Sequence, residues 1–166
     1  MQTGITQKRY LELPLPTEED ARSSQMRILD ALKEEGIKAR LPLCVLQKLY
    51  PVCDEADYHI TVSLAYDGTI WQAVDIEAGD TREAHYGYAA DLGSTTMVVR
   101  LVNCRDGSVL AEESEYNRQT AYGTDILTRI FACKDKPDVL DAIRACTMET
   151  FAVLFEKIRK KDIPKA

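Results

Sequence analysis

The fold is decided by residues 87–103, which read GYAADLGSTTMVVRLVN. Apolar residues dominate both ends of this stretch, and the polar turn Gly93-Ser94-Thr95 separates them, so the pattern predicts two strands joined by a tight turn. A second turn at residues 105–107 leads into a third run that ends at Tyr116. Three successive strands with short connections predict an antiparallel meander.

Helices are predicted after the meander from apolar spacing. A short helix is expected from Ile126 to about Cys133, and a long one begins at Pro137 and ends at the basic run 159–161. Proline suits the first turn of a helix, and basic residues suit the negative end of the helix dipole. The chain after Tyr86 is therefore expected to place three strands before its helices.

The earlier part of the chain predicts two more helices. Thr17 is a candidate N-cap, and the spacing that follows predicts an amphipathic helix over 18–35 that ends at Gly36. Residues 42–50 lie between two prolines and predict a second, shorter helix. The alternating Leu11–Leu15 segment contains a proline and reads as an extended linker or an edge.

Residues 58–77 alternate between apolar and polar side chains on either side of an Asp67-Gly68 turn, which predicts a β-hairpin. The fold class is therefore α+β or α/β. We expect three parts: a linker with an amphipathic helix over 1–36, a small α+β domain of two or three strands over 37–85, and a further domain over 86–166.

Composition limits the kind of protein this is. The 166 residues carry a net charge of −6, and residues 1–86 account for it with 15 acidic and 9 basic residues. This balance argues against a nucleic acid or an anionic membrane as the main partner. Five scattered cysteines show no metal-binding spacing, and no apolar run approaches the length of a membrane span, so we expect reduced thiols and a cytoplasmic protein.

The turn at residues 93–96 is the candidate site. Gly93 allows a positive φ and a close approach of the backbone to a ligand, and three hydroxyl side chains follow at Ser94, Thr95 and Thr96. Such a turn suits phosphate oxygens. Asp91 would repel a bare phosphate, so its expected role is to hold Mg²⁺ through water or to orient an attacking group. An ordinary hairpin turn is the alternative, because these residue types are common in turns.

Two motifs carry a resemblance to known proteins. Residues 87–96, followed by two further strands, resemble the first phosphate motif of the actin, sugar-kinase and Hsp70 ATPase superfamily. Residues 117–130, NRQTAYGTDILTRI, resemble the ATPase domain of reductive activators of corrinoid proteins. Residues 1–85 are similar to the linker and middle domain of such activators. The resemblance implies that residues 86–166 begin an actin-like ATPase lobe with ribonuclease-H-like strands.

The resemblance also implies an activity. An iron–sulfur cluster would pass an electron to an inactive Co(II) corrinoid protein and restore Co(I), and ATP with Mg²⁺ would help to drive this step. A corrinoid protein of a methyltransferase or O-demethylase system would be the partner, and a homodimer is expected. Asp91 and Asp125 would be the catalytic carboxylates. The nucleotide-binding residues implied are Gly93, Ser94, Thr95, Thr96, Asn117, Gln119 and Gly123.

Alternatives stay open at individual residues and for the whole chain. Asp125 and Arg129 are four residues apart, and a surface ion pair on a helix is the structural alternative for them. A small-molecule kinase of the same superfamily would share the phosphate turn. A non-enzymatic docking or dimerisation module formed by residues 1–85 is the third possibility, with Trp71 among its apolar residues.

The sequence departs from the family in two ways. No cysteine spacing suited to an iron–sulfur cluster is present, so a [2Fe–2S] cluster would belong to the parent protein only. Eighty residues follow Tyr86, too few for both lobes of an actin-like ATPase. We therefore expect the chain to be a fragment of a longer ATPase and to be inactive alone.

Overall fold

The computed structural model describes residues 4–161. Its residues form two compact units, unit 1 over residues 4–85 and unit 2 over residues 86–161. This division coincides with the boundary that charge and motifs predict at Tyr86.

Unit 1 combines a four-stranded sheet with two helices. The sheet order is β1-β3-β4-β2, in which β1 and β3 are antiparallel, β3 and β4 form a hairpin, and β2 runs parallel to β4. The elements are β1 (Thr6–Glu12), α1 (Ser24–Glu34), β2 (Ala39–Arg40), α2 (Leu43–Glu55), β3 (His59–Tyr66) and β4 (Trp71–Ala78).

The hairpin between β3 and β4 forms as predicted. Oδ1 of Asp67 accepts hydrogen bonds from the backbone N–H groups of Thr69 and Ile70, each at 2.9 Å. Gly68 has a φ of +95°, a conformation that glycine adopts without steric cost. The edge strand beside β3 is β1, and it includes only Leu11 and Glu12 of the Leu11–Leu15 segment that the sequence predicts as a linker or an edge.

The core of unit 1 lies between the sheet and the two helices. It takes residues from both sides of residue 36, so the expected boundary between a 1–36 linker and a 37–85 domain is not a boundary in the structure. Pairing of β1 with β3 explains this, because the strand completes the same sheet. The most deeply buried members are Ile28, Leu32, Val45, Cys53, Ile60, Val62, Leu64 and Ala73.

The predicted start of the first helix is wrong. Helix α1 begins at Ser24, and its N-cap is Ser23, whose Oγ accepts the backbone N–H of Met26 at 3.2 Å. Thr17 instead accepts the backbone N–H of Asp20 in a turn ahead of the helix. The end is as predicted: Gly36 has a φ of +76°, and backbone bonds from residues 36 and 37 close a Schellman motif.

The predicted end of the second helix is also wrong. Helix α2 continues through Pro51 to Glu55. Val45, Leu49 and Cys53 recur every four residues on one face, and all three are buried. Burial of that face favours continuation over the one backbone hydrogen bond that proline removes.

Unit 2 is an antiparallel meander followed by helices, in the order β5-β6-β7. The elements are β5 (Tyr86–Leu92), β6 (Thr96–Asn103), β7 (Val109–Tyr116), a 3-10 helix (Arg118–Tyr122), α3 (Ile126–Cys133) and α4 (Pro137–Arg159). The sequence predicted these strands and both α-helices within two residues. The 3-10 helix was not predicted.

Helix α4 packs against β6 and β7 and forms the core of unit 2. Alternate residues of β6 point to this helix, since Met97, Val99 and Leu101 are buried. Leu154 and Ile158 of α4 are fully buried against them. The two sheets and their helices confirm the mixed α+β class. Within residues 4–161, no helix combines the length and apolar character that crossing a membrane requires.

Candidate phosphate site

The turn between β5 and β6 depends on Gly93 for close packing rather than for its φ. Gly93 does not use the positive φ that glycine allows. A Cβ added there would lie 2.4 Å from the backbone oxygen of Thr96, a distance that no side chain tolerates. Glycine is therefore needed because the two strand ends approach each other closely.

Three successive carbonyl oxygens of the turn are bound by a later segment of the chain. Nδ2 of Asn117 donates to the carbonyl of Gly93 at 2.9 Å, and its backbone N–H donates to that of Thr95 at 2.8 Å. Nη2 of Arg129 donates to the carbonyl of Ser94 between them. Carbonyl oxygens would repel a phosphate, and here all three are engaged from residues 117–129.

The hydroxyl groups of the turn are available. Ser94, Thr95 and Thr96 are exposed, and within residues 4–161 their hydroxyls make no hydrogen bond. Asp91, which pairs with Val98 in the strand register, is exposed as well. The turn therefore presents three hydroxyl donors with one carboxylate close by in the chain.

Asn117 and Gln119 lie behind the turn, and their polar atoms are occupied. Asn117 is 1% exposed, and its Oδ1 accepts the backbone N–H of Gln119 at 3.0 Å. Nε2 of Gln119 donates to Oγ1 of Thr147 at 2.5 Å and to the carbonyl of Ile143 at 3.3 Å, both on α4. These amides connect the turn to α4, and their donors are used within the protein.

Gly123 and Asp125 shape the start of α3. Gly123 has a φ of +152°, and an added Cβ would lie 2.3 Å from Oγ1 of Thr128. Asp125 is the N-cap of α3: its Oδ1 accepts the backbone N–H of Thr128 at 2.9 Å, and the Thr128 hydroxyl completes a capping box. This backbone hydrogen bond lowers the pKa of Asp125, which makes the carboxylate a weak base.

Arg129 is the residue whose role the sequence did not reveal. It is 4% exposed, and its Nε donates to the carbonyl of Gly123 at 2.9 Å while Nη1 donates to Oε1 of Gln119 at 3.1 Å. With the bond to Ser94, its guanidinium joins three segments of unit 2. The surface ion pair with Asp125 is not formed, since Asp125 caps the helix instead. Residues 117–129, which contain the N-x-Q-x-x-x-G-x-D motif and Arg129, thus hold the turn at residues 93–96 in place through hydrogen bonds. We call this segment the bracket.

The described residues hold no ready-made metal centre. Within residues 4–161, no three His, Cys, Asp or Glu side chains converge on one point. The five cysteines are separate free thiols. A cation at Asp91 would need further oxygen ligands from phosphate and water, which Mg²⁺ ordinarily uses.

The β5–β7 meander and the turn at residues 93–96 define an α+β chain with a candidate anion site. Comparison with known proteins extends this. Family models match the RACo linker region over residues 4–83 and the RACo middle region over residues 86–165. The chain therefore belongs to the RACo family, whose linker and middle regions it contains.

Individual relatives agree with this family. The chain is 33% identical over 86 residues to the corrinoid activation enzyme RamQ of Eubacterium limosum, a match that covers 52% of this chain and 14% of that protein. A solved structure described as a reductive activator for corrinoid, iron-sulfur protein superposes with a TM-score of 0.77 and 28% identity. That match covers 95% of this chain and 25% of the other. The chain thus spans a minor part of the relatives it matches.

The region names differ from our expectation. The linker model covers residues 4–83 of unit 1, in agreement with its single core, and the middle model begins with unit 2 at Tyr86. The sequence resemblance places the middle domain at 37–85, whereas the middle model matches residues 86–165.

Proposed function

We propose that this chain is part of an ATP-dependent reductive activator that restores Co(I) in corrinoid proteins with an electron from an iron–sulfur cluster. The observation that carries the nucleotide part is the turn at residues 93–96. The carbonyl oxygens of residues 93–95 accept hydrogen bonds from residues 117–129, and the hydroxyls of residues 94–96 are exposed. This arrangement is suited to binding phosphate oxygens. Membership of the RACo family supports the corrinoid part.

In this proposal the turn binds the phosphates of ATP. Ser94, Thr95 and Thr96 would donate hydrogen bonds from their hydroxyls, and Gly93 would keep the two strand ends close enough to form the turn. Asp91 would hold Mg²⁺ through water, and the bound ion would neutralise phosphate charge. Asn117, Gln119 and Gly123 would act through the shape of the turn rather than by contact with the ligand. Asp125 is proposed as a catalytic carboxylate by resemblance alone.

The remaining parts of the activity are assigned outside these residues. The five cysteines lie apart in the chain, so the [2Fe–2S] cluster would be carried by another region of the whole protein. Unit 2 would contribute the first strands and helices of an actin-like lobe. A corrinoid protein would be the partner, and we also propose a homodimer in the cytoplasm.

The test measures reduction of Co(II) corrinoid protein by the full-length activator that carries this chain. Absorbance of Co(I) is followed with an electron donor, with and without Mg-ATP. We expect reduction to depend on ATP, and we expect Ser94→Ala/Thr95→Val to lower the ATP-dependent rate by about tenfold or more, because hydrogen bonds to phosphate are lost.

Ser108→Ala is the matched control, since Ser108 is an exposed hydroxyl in the other turn of the same meander. It should leave the rate unchanged. Equal rates with and without ATP would refute the proposed function. Equal loss in both variants would refute the assignment of the phosphate site to residues 93–96.

A further inference from the structure

Helix α3 has an unusual distribution of side chains. Its one buried residue is Arg129, while its large apolar residues are exposed to solvent. The exposed fractions are 61% for Ile126, 61% for Leu127, 54% for Ile130 and 70% for Phe131. Burying the Arg129 guanidinium while these apolar side chains stay in water costs free energy, because the charge loses its hydration. This cost suggests that the charge has a role in the protein.

The charge of Arg129 is not neutralised within the described residues. Its three hydrogen-bond acceptors are two backbone carbonyls and the amide oxygen of Gln119, all uncharged. Within residues 4–161 it forms no ion pair. The other fully buried arginine, Arg27, contrasts with it, because Asp20 pairs with Arg27 at 2.6 Å. The positive charge of Arg129 is therefore uncompensated, and it lies against the carbonyl oxygen of Ser94 in the turn.

We propose that Arg129 is a positioning residue for phosphate at residues 93–96, acting through the Ser94 peptide group. Its hydrogen bond holds the carbonyl of Ser94 away from the ligand, which orients the turn before ATP arrives. Its buried charge is neutralised when the phosphates bind, so the cost of burial is recovered as affinity. This inference rests on the proposed function, because it names the residue that prepares the same turn.

Two substitutions of Arg129 distinguish the effect of its hydrogen bonds from the effect of its positive charge. Arg129→Met keeps a long side chain and loses both the donors and the charge, whereas Arg129→Lys keeps the charge and loses the planar fork. Arg118→Met is the control: Arg118 lies on the 3-10 helix of the same bracket, is exposed, and pairs with Glu149 at 3.0 Å.

The first readout needs no nucleotide. Amide hydrogen exchange of residues 94–96 is measured in this chain. We expect both Arg129 variants to exchange about tenfold faster than wild type, as loss of a charged hydrogen bond implies, and Arg118→Met to match wild type. Amides of α4, the helix that packs against β6 and β7 of the same unit, show whether a variant is folded. Unchanged exchange at residues 94–96 in Arg129→Lys would overturn the proposal, even if Arg129→Met failed to fold.

The second readout is Mg-ATP affinity of the full-length activator. We expect Arg129→Met to weaken binding by about tenfold or more, and Arg129→Lys to recover part of this loss because it retains the charge. Identical affinities in wild type and Arg129→Met would overturn the proposal. If wild type itself does not bind Mg-ATP, the proposed function fails, and the positioning of the turn is then judged from exchange alone.

Discussion

Asp20 lies ahead of α1, and its carboxylate binds the side chains of Arg22 and Arg27. These contacts determine where the helix begins. The Asp20 carboxylate accepts hydrogen bonds from Nη2 of Arg22 at 2.8 Å and from Nη1 of Arg27 at 2.6 Å. The Arg27 side chain is fully buried, and among residues 4–161 its Nε has no hydrogen-bond partner. The guanidinium of Arg22, and next that of Arg27, hold the pKa of Asp20 far below its usual range.

This pKa predicts an acid-dependent loss of stability. A carboxylate whose pKa is lowered by folding stabilises the folded state fully above its unfolded pKa of about 3.9, and this contribution is lost as the pH falls further. We expect the urea midpoint of unit 1 to fall steeply below about pH 4, and less steeply in Asp20→Asn.

Fluorescence of Trp71, the single tryptophan of the chain, follows this transition. Glu18→Gln is the control, because Glu18 is an exposed carboxylate in the same loop. It should retain the wild-type dependence on pH. An Asp20→Asn profile as steep as that of wild type would contradict the assignment.

Gly93 predicts a second effect at the scale of one residue. In Gly93→Ala the new methyl group would meet the backbone of Thr96, so one strand end must shift, and we expect a loss of about 1–3 kcal/mol in the stability of unit 2. Gly87→Ala is the matched control on the same strand, where the new Cβ meets only the movable Sγ of Cys104.

Chemical unfolding monitored by circular dichroism, together with exchange of the β6 amides, measures both glycine variants. A smaller loss in Gly93→Ala than in Gly87→Ala would be inconsistent with the close approach described here.

The sequence alone indicates the hydroxyl side chains of the candidate site. It does not indicate that residues 117–129 form hydrogen bonds with the turn. Residue types alone predict Ser94, Thr95 and Thr96 as candidate donors. The bond from Asn117 to Gly93 spans 24 residues, and that from Arg129 to Ser94 spans 35. Such contacts depend on how the strands and helices fold back, which local propensity does not encode.

At the scale of elements, helix ends are where prediction from sequence was weakest. Thr17 and Ser23 are both good N-cap residues, and the acidic run after Thr17 favoured the wrong one. The choice was made by tertiary contacts, because Asp20 is bound by Arg27 and cannot also form the first helical turn. The same holds at Pro51, where burial of Cys53 extends the helix.

The cap assignment predicts unequal effects of two similar substitutions. We expect Ser23→Ala to lower the stability of unit 1 by about 1 kcal/mol, because the N–H of Met26 loses its acceptor. Thr17→Ala should cost less, about 0.5 kcal/mol or below, since it removes a turn contact at an exposed position. Urea unfolding by Trp71 fluorescence measures both. A larger effect at Thr17 would place the helix start where the sequence alone suggested.

At the scale of the whole molecule, each unit has its own core. The buried residues of unit 1 all come from residues 11–76, and those packed around α4 all come from residues 97–158. A core built within one segment is what an independently folding domain requires.

This organisation predicts that residues 1–85 fold alone. We expect a single cooperative urea transition by both circular dichroism and Trp71 fluorescence. Leu64 is 1% exposed, so Leu64→Ala should remove about 2–5 kcal/mol of stability from this fragment. Val74→Ala, at an exposed position of the neighbouring strand, is the control and should change little. A gradual transition, or equal effects of the two substitutions, would show that the core needs residues beyond 85.

The sequence by itself determined the periodicity of the strands and of most helices, the turn at residues 67–68, and the glycine and hydroxyl content of residues 93–96. These features are local, because spacing, glycine and hydroxyl content act within a few residues. Only the tertiary structure decided that β1 completes the sheet of unit 1, where α1 begins, and that Arg129 donates to the turn at residues 93–96. Each of these depends on contacts between segments distant in the chain, where burial and charge pairing outweigh local preference.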